Sequence, residues 1–105
     1  MMKFKRGMNI EDLEETLIEI FDKYNMPENI NLEHGIFSWW RTQSDDRIKI
    51  GYIPDMFIYY SIINDINNIL PKIQSRFGNI TIEKGKCKSA QSTYIDILPA
   101  SIDKY

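Results

Sequence analysis

The sequence has a single cysteine, Cys87, and a single histidine, His34. One thiol closes no internal disulfide, so burial must hold the fold, and a reducing compartment is implied. One cysteine and one histidine do not make a zinc ligand set, and no HExxH or CxxC spacing occurs, so no metal is expected. There is no GxGxxG or GxxxxGK(S/T) loop to cradle phosphates. No run approaches the roughly 18 consecutive apolar residues that a membrane helix needs. The start, MMKFKRG, is basic, but an acidic polar stretch follows where a secretory signal would turn apolar. A strong charge of one sign is also missing: 13 Lys and Arg stand against 15 Asp and Glu, for a net charge of -2. The molecule as a whole is therefore not built to neutralise phosphates. Together these absences lead us to expect a cytoplasmic, non-enzymatic protein with no cofactor, no metal and no membrane partner.

What is present suits one folded domain over residues 1–105. A 43% apolar fraction over 105 residues can fill one hydrophobic core. Charge is distributed unevenly. Residues 11–33 hold eight acids and one base, whereas residues 72–88 hold five bases and one acid, Glu83. Each run is the composition of a solvated face, and the difference between them can orient a charged partner.

Two helices are legible. Asn9 is a natural N-cap, the acids Glu11, Asp12, Glu14 and Glu15 suit the first turns, and Ile10, Leu13, Leu17, Ile20, Phe21 and Tyr24 form one apolar stripe. Met26-Pro27 should end this helix. A second helix should open after Pro54 with Asp55 as cap and run to Phe77. Its stripe is Ile62, Ile63, Ile66, Ile69, Leu70 and Ile73, Pro71 should kink or briefly break it near residues 67–70, and Gly78 should stop it. Elsewhere the apolar period is two, over residues 48–52 and 93–97, each run closed by a proline, Pro54 and Pro99. Upstream of each lies a similar heptapeptide, NINLEHG at 29–35 and NITIEKG at 79–85, identical at four of seven positions. The expectation is an α+β fold of two tandem αββ units, about 9–54 and 55–99, with 1–8 and 100–105 as terminal arms. They would form a four-stranded, mainly antiparallel sheet with both helices on one face.

Alternation then assigns faces. Ile30, Leu32, Ile48, Ile50, Tyr52, Ile80, Ile82, Ile95 and Ile97 should face the core, and continuing the register through Gly35 adds Ile36, Ser38 and Trp40. Phe37, Trp39 and Arg41 then face out, alongside Glu33, Lys49 and Ile53, with Glu83, Tyr94, Asp96 and Leu98 on the same outer side of the second unit. A bulge at Gly35 would exchange the two tryptophans. Aromatics and arginine are enriched among interface hot spots. The expected partner-binding set is therefore Phe37, Trp39, Arg41, Lys49 and Tyr94, and a homodimer through the sheet is another way to cover that face.

No catalytic constellation emerges. His34 reads as a residue at a strand end, Asp45 and Asp46 as turn formers, and Cys87, beside Lys84, Lys86 and Lys88, as an incidental thiol. In length, acidity and lack of catalytic motifs the chain resembles small bacterial immunity proteins and phage or viral inhibitors of host systems. That resemblance is compositional and transfers no residue. It implies a small acidic protein that masks a protein partner, with a basic, nucleic-acid-handling protein as the fitting target. The alternative is a nucleic-acid-binding module that stacks bases on an aromatic, basic sheet face. Against it stand the net acidity and the missing glycine-aromatic signature of the commonest such sheet.

Overall fold

Helical spacing of apolar residues builds the first element, α1 (Ile10–Lys23), in a computed structural model that describes residues 10–43, 47–77, 80–87 and 92–99. Asn9, Asp45, Asp46, Gly78, Asn79, Lys88 and the two terminal arms, each assigned a role above, lie outside the described residues. α1 buries Ile10, Leu13, Leu17, Ile20 and Phe21, each contributing about 1.5–3 kcal/mol by leaving water. Its end is set before the proline. Asn25 takes a left-handed φ of 53°, and the Met26 amide donates to the Phe21 carbonyl at 2.8 Å, the six-to-one bond of a Schellman-type cap.

The second helix, α2 (Met56–Phe77), begins where Asp55 Oδ1 accepts from the Ile58 amide at 2.8 Å. It buries Tyr59, Ile62, Ile66 and Ile73 and runs through Pro71 as one helix, without the short break that was the alternative to a kink there. A polar tie joins the helices. Tyr24 donates its hydroxyl to Asp65 Oδ2 at 2.6 Å and lies 2.6 Å from Ser61 Oγ, while Lys23 Nζ donates to Asp65 Oδ2 at 2.8 Å.

The strands are β1 (Ser38–Arg41), β2 (Ile48–Ile53), β3 (Ile80–Cys87) and β4 (Ser92–Pro99), in the order β1-β2-β4-β3 with every pairing antiparallel. β2, β4 and β3 form the body of the sheet, and the four-residue β1 lies along the far side of β2. Ile48, Ile50, Ile95 and Ile97 are fully buried in one cluster with the helix residues, so this face lies toward the helices.

The two equivalent αββ units of a four-stranded sheet, inferred from the heptapeptide match, are not what the chain forms; only the α+β class stands. NITIEKG enters β3, but NINLEHG is loop and contributes no strand. Asn29 closes that loop with its own side chain. Its Nδ2 donates to the Glu33 carbonyl and its Oδ1 accepts from the Glu33 amide, both at 2.9 Å. Leu32 at φ 52° and Gly35 at φ 83° complete a path no strand can follow. Ile30 and Leu32, expected in the core, are instead 77% and 51% exposed.

Candidate binding face

The register at β1 reverses the expected faces. Trp39 pairs with Ile50, whose neighbour on β4 is Ile95, so Trp39 points into the core with them. It is 5% exposed and stacks on Phe21 of α1 at 4.6 Å between centroids and 8° between planes. Arg41 shares that inner side and holds α1, with Nε 3.3 Å from Glu14 Oε1 and Nη1 3.7 Å from Glu11 Oε1. Glu14 Oε1 is buried without an aligned hydrogen bond among the described residues. Burial therefore pushes the Glu14 carboxyl above its usual range, despite the opposing pull of Arg41. Phe37 is partly buried against the core. Of the five residues predicted for a partner, Phe37, Trp39 and Arg41 thus belong to the inner side, while Lys49 and Tyr94 lie on the outer one.

The outer side gathers residues that alternation alone placed elsewhere. Trp40, expected in the core, pairs with Lys49 and meets Tyr94 edge to face at 6.1 Å. Tyr94 meets Tyr52 at 5.6 Å, and Tyr52 meets His34 at 6.0 Å, with the Tyr52 hydroxyl hydrogen-bonded to His34 Nδ1. The result is a continuous aromatic row: Trp40, Tyr94, Tyr52, His34.

Two features of β2 make the row. Gly51 supplies the space, since a Cβ there would collide with the Trp40 ring and stand 2.6 Å from Tyr94 Cε1. A bulge supplies the direction. Ile50 pairs with Ile95 and Ile53 with Thr93, so β2 carries one residue more than β4 across this interval. Tyr52 takes a left-handed φ of 56° in the bulge. Tyr52 accordingly joins Gly51 opposite Tyr94, and Ile53, expected outside, returns to the core at 6% exposure.

Beside the row Asp96 lies between two cations, with Lys49 Nζ 3.4 Å from its Oδ1 and Arg47 Nη1 3.8 Å from its Oδ2. Asp96 Oδ1 is buried and has no aligned hydrogen bond among the described residues. Further along β4 the register puts Leu98 on this side too, but it is 2% exposed, so the accessible part of the face is the aromatic end. Trp40, Tyr52 and His34 were missed by the sequence reading, and the in-strand glycine Gly51 was the available signal for them. Among the described residues no group of three or more His, Cys, Asp or Glu is placed to hold a metal ion, and no helix is long and apolar enough to cross a membrane. No family model, curated protein or solved structure matches the chain.

Proposed function

We propose that the protein is a non-enzymatic binding protein, of inhibitor or immunity type and acting in the cytoplasm, that docks a protein partner on the outer face of its sheet. The observation that carries this reading is the contacting row of Trp40, Tyr94 and Tyr52 on the side of the sheet away from the helices. Half-buried rings held by their neighbours present contact area with little conformational entropy left to lose, as hot-spot residues do. Lys49, Arg47 and Asp96 give the row a charged flank on which a partner can be oriented. The exposed acids of α1 lie on the opposite side; they favour a basic partner through the long-range field, not by contact.

The test is quantitative capture of partners by the wild-type chain and by a Trp40→Ala/Tyr94→Ala variant shown to be folded by circular dichroism. A partner held by the wild type and lost from the variant supports the reading. Capture unaffected by both substitutions overturns it. Micromolar or tighter binding to random single-stranded oligonucleotides, with a steep salt slope, would move the assignment to the nucleic-acid alternative.

A further inference from the structure

The polar residues Asn29 and Ser38 are both buried, and both hold the same loop. Asn29 closes it through the paired hydrogen bonds to Glu33, and Ser38 donates its hydroxyl to the Ile36 carbonyl at 2.7 Å. The start of the loop is fastened to β1, with the Trp39 amide donating to the Pro27 carbonyl at 3.1 Å and the Asn29 amide to the Trp39 carbonyl at 2.8 Å. Burying a polar side chain is costly unless it is hydrogen-bonded, so two such residues are committed to fixing one path. Yet what that path presents to water is apolar: Ile30, Leu32 and Ile36 are all exposed. Leu32 also holds a left-handed φ of 52°, a strain that its exposed side chain does not recover by burial. Backbone strain and clustered apolar exposure of this kind are features of recognition surfaces.

The place and charge of the loop define its partner. His34, the last member of the aromatic row, lies between Leu32 and Ile36 in the chain, so the aliphatic residues continue the row. Glu28 and Glu33, both exposed, bracket Ile30 and Leu32. We infer that residues 28–36 form a pre-shaped plug, and that the protein partner offers a concave apolar cleft with a basic rim. The cleft receives Ile30 and Leu32, and the rim meets Glu28 and Glu33. This rests on the docking role of the aromatic row and adds to it the shape and charge of the partner. A loop already fixed in its bound form loses little conformational freedom on docking, which is the gain that pre-organisation brings. Two other occupants suit the charge poorly. A second copy docking loop to loop would set Glu28 and Glu33 against acids of the same kind, and an anionic lipid surface would repel both.

The probe is a synthetic host of the inferred chemistry: amino-β-cyclodextrin, an apolar cavity with a cationic rim, compared with its carboxylated counterpart. The full chain, isotope-labelled for amide NMR, is titrated with each. Saturable shifts at residues 28–36 are expected, with affinity about tenfold lower for the carboxylated host and about tenfold lower in Ile30→Ser and in Leu32→Asn. Asparagine tolerates the left-handed conformation, so Leu32→Asn should melt no lower than the wild type, and Ile30 is exposed enough for Ile30→Ser to do the same. Trp40→Ala/Tyr94→Ala should bind the host as the wild type does, which separates failure of the plug from failure of the docking face. Shifts confined to other residues, equal affinity for the two hosts, or a clearly lower melt for Leu32→Asn overturns the proposal. A partner lost from the aromatic-row variant but held by Ile30→Ser and Leu32→Asn also overturns it, and leaves the docking face standing without the plug. So does self-association, or co-sedimentation with phosphatidylcholine vesicles, that either loop substitution abolishes.

Discussion

Exchange of the two tryptophans between faces can be tested by their unequal contributions to stability. Trp39 is 5% exposed and stacked flat on Phe21. A buried aromatic removes about 150–250 Å² from water, worth roughly 4–6 kcal/mol at about 25 cal/mol per Å². Partial collapse around the vacated volume brings the expected loss for Trp39→Ala to about 3–5 kcal/mol. Trp40 is only half-buried and touches Tyr94 by its edge. Trp40→Ala should cost about 1–2 kcal/mol, since much of that ring already meets solvent. Urea unfolding followed by far-ultraviolet circular dichroism measures both, because the substitutions remove the fluorophores. Conservative variants add a check on access. Trp39→Phe leaves only Trp40, which iodide should quench, and Trp40→Phe leaves only Trp39, which should be shielded. Equal losses for the two alanine variants, or iodide reaching Trp39 in preference to Trp40, would refute the register.

Other outcomes follow from the same geometry. Gly51→Ala drives a methyl into the Trp40 and Tyr94 rings, so it should lower stability by about 1–3 kcal/mol and displace the aromatic row; an unchanged melt and unchanged Trp40 fluorescence would contradict it. Hydrogen bonds first from Lys23 and then from Tyr24 hold the Asp65 carboxyl below its usual value of 3.8. Its stabilisation is therefore full well above pH 3.8 and lost as pH falls through the lowered folded value. Asp65→Asn should cost about 1–3 kcal/mol at pH 7 and flatten the acid limb of the stability curve, and parallel curves for variant and wild type would count against the network. Glu14 has the opposite sign. Burial raises its carboxyl above 4.5, so its ionised form is the disfavoured one in the fold, and stability improves as pH falls through the raised value. Glu14→Gln should thus match or exceed the wild type at pH 7 and lose any advantage below pH 4.5; a clear loss at pH 7 would show that Arg41 outweighs burial.

Both helices were legible because their signals are repetitive. Ile10, Leu13, Leu17, Ile20 and Phe21 mark one stripe that no other local structure would bury together. β2 and β4 were legible over Ile48, Ile50, Ile95 and Ile97, where alternation is uninterrupted. The heptapeptide match misled because identical residues can serve different purposes. In the loop Asn29 hydrogen-bonds its own chain at Glu33, and the isoleucine and leucine that follow face water. In the second copy Ile80 is 3% exposed on a strand that has β4 to pair with. The pairing partner decides the structure, and a heptapeptide does not contain it.

The face reversal has one physical origin. Strand parity is a local rule that each left-handed residue resets, and three such residues interrupt the count: Leu32 and Gly35 before Trp39, and Tyr52 between Ile50 and Ile53. Glycine announces that freedom, but leucine and tyrosine do not, since the conformation costs either of them on the order of 1–3 kcal/mol. Tyr52 offsets that cost with contacts to Tyr94 and His34 that an unbulged strand would deny it, because ordinary alternation would turn its ring under the helices. Gly51 beside it admits the Trp40 ring where any side chain would exclude it. A strained residue and a glycine in adjacent positions therefore produce the same result from opposite causes: the aromatic row faces away from the helices, and Ile53 is returned to the core that the bulge would otherwise have opened.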